Sequence, residues 1–276
     1  MRELPPPNYE YDVAKLTDAY VNALEQIRNE LYRLDLTDFQ RANALAVMKS
    51  ITEILRELNG HTADWINEAI PKATEDGVIR AIIALGVVDT VEQAANLVKF
   101  NRINKELVKA VVADTQDNLL AVTQNMEKRI IVAIRKSTAE VMRANVTKGV
   151  NGTSTLTGEL LKEIRKNLDT AADTSIINAA GARRRLKDYV EMVVRTKMME
   201  AHKEATMNEA VQRGANYGVI STHGAKDACS KWEGKIVKLT PEAEGDYPYI
   251  GSLPNREIFH PNCRHTVSPV KRPDRV

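Results

Sequence analysis

From Ile103 to Lys148 the chain contains neither glycine nor proline. Over that stretch Leu107, Val111, Leu119, Val122, Met126, Ile130, Ile134, Val141 and Met142 recur mostly at three- and four-residue steps. That spacing places them along one side of an α-helix. A helix of this length would run roughly 65 Å at 1.5 Å per residue. It is longer than a small domain is wide, so it must lie beside other long elements or break once. A chain built round such a rod is helical first, and any sheet has to be small.

The residues before it agree. Pro5, Pro6 and Pro7 give a short extended lead, because proline fixes φ and disfavours helix in the residue before it. From about Tyr9, one helical stripe carries Leu16, Tyr20, Leu24, Ile27, Leu31 and Leu34. A second carries Ala44, Val47, Met48, Ile51, Leu55 and Leu58 and is expected to stop at Asn59-Gly60. Thr62 or Asp64 is then expected to cap a third helix, with Pro71 kinking it or starting a new one. Asp89-Thr90 precedes a short helix from Val91 to Phe100. After the long rod, residues 149–155 read as a turn or linker, and Thr157 is expected to cap the next helix. Arg183, Arg184 and Arg185 are expected to open a last helix, closed by Gly214.

Beyond Asn216 the period changes. Tyr217 to Ser221 and Lys235 to Leu239 read as strands, with a turn at Glu233-Gly234 between them. Residues 241–254 form a loop, and residues 256–259 and 265–270 are expected as short strands. The fold class is therefore mainly α: an elongated helical bundle followed by a small α+β C-terminal module. The expected division is 1–148 for the N-terminal helical region, 149–214 for a helical connector and 215–276 for the module.

Aromatic residues make up only 5% of the chain. That fits long helices packed through Ala, Val, Ile and Leu better than a compact aromatic core. There is no apolar run long enough to span a bilayer, so no membrane partner is expected. The N-terminus has no basic and apolar leader of the secretory kind. Charge is uneven. The first hundred residues hold ten Lys/Arg against sixteen Asp/Glu, and the second hundred hold eighteen against twelve. The basic middle, with Lys128, Arg129, Arg135, Lys136, Arg143 and Lys148 on one helix, could face phosphate or an acidic protein surface. No aromatics interleave these cations, so base stacking is not supported.

The rarest residues crowd into the end of the chain. Both cysteines, Cys229 and Cys263, lie there, as do His223, His260, His265 and Trp232. Cys229, His260, Cys263 and His265 offer two thiolates and two imidazoles, a ligand set that zinc favours. Read otherwise, the run His260-Pro-Asn-Cys-Arg-His265 is a hydrogen-bonded structural corner with buried thiols. A disulfide fits a reducing compartment poorly. A Cys–His nucleophile, Cys263 with His223 or His265, lacks an identifiable orienting group. His61 and His202 read as surface or core groups, and Trp232 as an anchor of the module's core.

Several segments together carry a family likeness. Met192-Val-Val-Arg195-Thr196, Ser221-Thr-His223-Gly-Ala225, Cys229-Ser-Lys-Trp232-Glu-Gly234-Lys235 and Phe259-His260-Pro-Asn-Cys263-Arg-His265 resemble phage minor capsid protein 2. That family is similar to the Mu F-like head-morphogenesis proteins of tailed phages. The likeness covers roughly residues 145–270. It departs at Lys226, and only one cysteine, Cys229, stands near the earlier motif. The resemblance implies a minor structural protein of the head, in few copies and inside the capsid. Its partners would be the portal and the major capsid or other head proteins. It would enter the procapsid in the host cytoplasm, assist head morphogenesis and bear on genome ejection. It implies no catalytic residues, no bound organic cofactor and no cargo domain after Val276. Zinc is the one candidate cofactor. Two other readings stay open: a zinc-dependent or cysteine hydrolase using the Cys/His cluster, and an internal virion protein binding packaged DNA without sequence preference.

Overall fold

The computed structural model describes residues 4–34, 41–151, 158–173, 176–177 and 183–275. Six helices account for most of them: α1 Glu10–Tyr32, α2 Arg41–Ala84, α3 Val91–Leu97, α4 Arg102–Asn151, α5 Gly158–Asp173 and α6 Leu186–Gln212. Two strands of two residues, β1 Ile176–Ile177 and β2 Arg183–Arg184, pair antiparallel ahead of α6. Three further strands, β3 Tyr217–Ile220, β4 Ile236–Lys238 and β5 Val267–Val270, form an antiparallel sheet in the order β4-β3-β5. The protein is mainly α with a small C-terminal sheet. No described helix is long and apolar enough to cross a membrane.

The chain folds into two compact units. One comprises Met1–Val13, Trp65–Thr115 and Met192–Val276, and the other comprises Ala14–Asp64 and Gln116–Glu191. In the second unit the expected stripes are the core. Leu16, Tyr20, Ile27 and Leu34 of the α1 segment are buried, as are Val47, Ile51 and Leu55 of α2 and Leu119, Met126, Ile130 and Ile134 of α4. Arg165 of α5 closes the end of α1 by donating to the carbonyls of Leu31 (2.6 Å) and Leu34 (2.9 Å). Those are carbonyls a helix end leaves without an internal donor. Met142 departs from its expected place, being half exposed.

Several boundaries differ from those read in the sequence. Helix α2 runs unbroken through Asn59-Gly60 and through Pro71. Thr62 does not cap; its hydroxyl donates back to the Leu58 carbonyl at 2.7 Å, inside the helix. Burial of Leu58, Ile66, Ala69, Ile70 and Ala73 along one side holds the helix together where propensity would stop it. Helix α4 likewise continues to Asn151, through the first residues of the expected linker. The cap expected at Thr157 lies outside the described residues. Helix α3 ends at Leu97, three residues early. Its start is a full capping box: Gln93 N–H donates to Thr90 Oγ1 (3.2 Å), and Thr90 N–H to Gln93 Oε1 (3.3 Å). Arg183 and Arg184 sit in β2, so α6 starts only at Leu186. This takes two of the three cations off the helix start, and Arg185, at its edge, pairs with Asp188 of the first turn at 3.0 Å.

In the first unit, α6 delivers the chain to the sheet. Gly214 takes φ +74, and the Ala215 N–H returns to the Ala210 carbonyl at 2.9 Å. This is the left-handed helix stop that glycine permits. The sheet packs Ile220, Val237, Leu239 and Val267 against Ala210, Ile250, Leu253 and Ile258. Trp232 lies at the edge of that cluster, with Lys235 Nζ 4.8 Å from its ring centroid. Residues 256–259 are a turn and not a strand. The N–H groups of Glu257 and Ile258 both return to the Pro254 carbonyl instead of reaching across to a neighbouring strand.

Candidate metal centre

Three pieces of chain converge at one end of the sheet. The first is a single turn of tight helix, Ala228–Lys231, entered through Asp227, whose carboxylate accepts the Cys229 N–H at 3.0 Å. It aims Cys229 inward. The second is the turn 259–263. Phe259 (φ 55) and Asn262 (φ 66) both take left-handed backbone, and the Cys263 N–H closes on the His260 carbonyl at 2.9 Å. For a phenylalanine that conformation is an outlier that its surroundings must enforce. It throws His260 and Cys263 to the same side. The third is the lead into β5, which carries His265.

The turn is held from α6 and from the first residues of α1. Thr196 Oγ1 accepts the Asn262 N–H at 3.1 Å. Glu10 takes Arg195 on one carboxylate oxygen (2.6 Å) and Arg264 on the other (3.0 Å). Lys203 lies over the Phe259 ring, 4.3 Å from its centroid. The Arg195-Thr196 and Arg264 positions, far apart in sequence, thus act on one corner.

All four residues expected from the sequence stand in one connected cluster. Cys229 Sγ lies 3.0 Å from His260 Nε2 and 3.8 Å from Cys263 Sγ, and Cys263 Sγ lies 3.3 Å from His265 Nδ1. The cysteines are free thiols, both buried. His265 is buried, and its Nε2 faces Glu233 Oε1 at 3.2 Å. His260 turns Nδ1 to the Pro261 carbonyl (2.9 Å), while its Nε2 also lies 3.3 Å from Asp227 Oδ2.

Sequence reasoning missed Glu233 and Asp227. Glu233 Oε1 accepts the backbone N–H of His223 (2.9 Å) and of Ala225 (3.0 Å), and these bonds hold its carboxyl down at about 2. Its only signal was its place beside the Glu233-Gly234 turn. Asp227, two residues before Cys229, has the spacing of a local side-chain cap, which was legible. His223 is not drawn to a thiol. Its ring packs against His265 with centroids 4.1 Å apart, and its Nδ1 faces Glu233 at 3.9 Å.

Burial, and after it the neighbouring Cys263, push the Cys229 thiol up. Burial likewise lowers His265, outweighing the Glu233 contact that favours its charged form. Glu233 supplies the orienting carboxylate that the Cys263–His265 pair lacked in the sequence.

A groove of about 960 Å³ in the same unit reaches Cys263, His260 and His265 at one end. Its other walls include Met199, Lys203, Met207, Val211, Leu239 and Tyr249.

The family described as phage minor capsid protein 2 matches residues 25–271. No curated protein and no solved structure matches the chain.

Proposed function

Because the chain belongs to the phage minor capsid protein 2 family, a virion protein of the head, we propose that it works as a structural part of the portal vertex. In this reading it sits inside the capsid, docks on the portal and assists head morphogenesis and genome ejection. The observation that carries the reading is the extent of the match. It takes in helices α2 to α6 and the terminal sheet together, so the likeness is to a whole scaffold and not to one borrowed motif. The groove beside the Cys/His corner supports docking on protein. Its walls mix methionines and aliphatic residues with Glu200, Lys203 and Glu204. Flexible thioether side chains with charged rims suit a surface that adapts to a partner.

The structural reading needs no turnover. The catalytic alternative needs a metal with an open position or a free thiolate. The DNA alternative rests on Lys128, Arg135, Lys136 and Arg143, which are exposed on α4. It predicts retention on DNA that falls steeply as salt rises.

The test is capture of the phage portal by the tagged full chain in an infected-cell lysate. It is paired with particles assembled without portal. Portal recovered with the chain, and particles lacking the chain when portal is withheld, are the expected results. Incorporation that does not depend on portal would overturn the docking. Salt-sensitive DNA retention without portal capture would shift the function to nucleic acid.

A further inference from the structure

Zinc is bound by thiolate sulfur at about 2.3 Å and imidazole nitrogen at about 2.0–2.1 Å, in a tetrahedron. Two sulfurs on such a tetrahedron stand about 3.8 Å apart, and a sulfur and a nitrogen about 3.6 Å. Cys229 Sγ and Cys263 Sγ are 3.8 Å apart. The sulfur–nitrogen separations, 3.0 Å to His260 and 3.3 Å to His265, are a few tenths of an ångström short of that edge. The ligand atoms that lie mutually close are those of Cys229, His260 and Cys263; His265 Nδ1 reaches Cys263 and stands otherwise with His223 and Glu233, so its ring has to move toward the ion to complete the tetrahedron.

The surroundings are those of a ligand set and not of a chance contact. A metal-bound imidazole commonly donates its other N–H to a carboxylate or a carbonyl, which fixes tautomer and ring angle. His265 offers Nδ1 to the cluster and gives Nε2 to Glu233; His260 offers Nε2 and gives Nδ1 to the Pro261 carbonyl. Glu233 is itself held by two backbone N–H groups. His223, Glu233 and His265 also lie close together, and here Glu233 Oε1 serves as the carboxylate behind His265. Two thiolates and two neutral imidazoles also balance the charge of one divalent ion.

The need for such a staple is visible in the fold. The sheet has strands of three and four residues. Small modules with little core are commonly held by metal or disulfide. An ion here would join the Ala228–Lys231 turn, the 259–263 turn and the entry to β5 directly, beside the ties that Thr196, Glu10 and Arg80 already make to them.

We propose that Cys229, His260, Cys263 and His265 bind one structural zinc ion, with Glu233 as the positioning residue behind His265. With His265 drawn onto the ion, protein fills all four positions and leaves none open for a substrate or an activated water. On binding, the two thiols lose their protons and the ion takes their sulfur lone pairs.

The test uses the full chain purified without chelator. One zinc per chain by elemental analysis is expected, with two thiols that become titratable only after chelation. Cobalt substitution is expected to give the intense bands of tetrahedral thiolate coordination. Glu233→Gln should keep the fold and weaken zinc affinity 10–100-fold, while His61→Gln, at an exposed position, should change nothing. Folded protein without metal and with two freely titrating thiols would overturn the proposal. So would a Cys229–Cys263 disulfide by mass spectrometry, or a single thiol at Cys263 alkylated rapidly by iodoacetamide. None of these outcomes depends on whether the portal is the partner.

Discussion

His202 shows how one residue can set a pH limit. It is 2% exposed on α6, with the Tyr9 ring edge-on at 6.3 Å and no hydrogen-bond partner on Nδ1 among the described residues. Burial, and then the charge of Arg80, hold its imidazole down at about 3. An unfolded chain binds that proton near pH 6.5. The folded pKa is depressed, so the full stability is present above about pH 6.5 and is lost as pH falls from there toward 3. Urea unfolding near neutral pH and at about pH 5 should show a loss approaching 1.4 kcal/mol per pH unit from this group. His202→Phe should flatten that part of the slope; an equal slope in both proteins would show that His202 is not its source. Gly77 gives a second prediction at this scale. A Cβ there would collide with the His202 carbonyl oxygen, and the Thr206 hydroxyl sits 3.0 Å from the Gly77 carbonyl. Gly77→Ala should therefore cost about 1–3 kcal/mol through overpacking, read as a lowered Tm. Neither residue was legible. His202 lies in an ordinary helical period, and Gly77 marks no turn; what makes both matter is a close crossing of α2 and α6 within one unit.

At the scale of elements, the stripes were legible and the stops were not. Leu16, Tyr20, Ile27 and Leu34 are buried as their spacing requires, because the period of a helix is a property of the chain itself. Asn59-Gly60 has the local chemistry of a helix end, yet α2 passes through it, since whether a helix stops is decided by what is packed on either side. The two readings differ in a measurable way. If Gly60 closed a helix in left-handed backbone, an added Cβ would be strained. In α2 it is an exposed interior helical position with nothing within 4 Å of an added Cβ. Gly60→Ala should then raise stability by about 0.5–1 kcal/mol, and a lowered Tm would restore the break. The two-residue strand at Arg183–Arg184 was missed for a related reason. A run of three arginines says little by itself, and only its pairing with Ile176–Ile177 moves the start of α6 past it.

For the whole molecule, the four-residue cluster was legible as a composition, because Cys and His are rare and crowded here. Its construction was not, since the parts that build it come from distant sequence. Thr196 holds Asn262, Glu10 holds Arg264, and Lys203 covers Phe259. Arg80 of α2 is buried and ties β5 to the lead of the chain: it donates to the Pro5 carbonyl (2.8 Å), the Leu4 carbonyl (3.3 Å) and Ser268 Oγ (3.3 Å). The apolar face of the sheet is closed by Ala210 from α6, with Met207, Val211 and Leu85 beside it. A fragment of residues 215–276 would lose every one of these contacts. It would keep three short strands, left-handed backbone at Phe259 with nothing to enforce it, and an uncovered apolar face. The fragment is therefore expected to give a collapsed amide spectrum by NMR even with zinc added, and to bind zinc far more weakly than the full chain. Dispersed amides and full-chain affinity in the isolated fragment would show that the corner builds itself, and that Glu10, Arg80 and Thr196 merely rest against it.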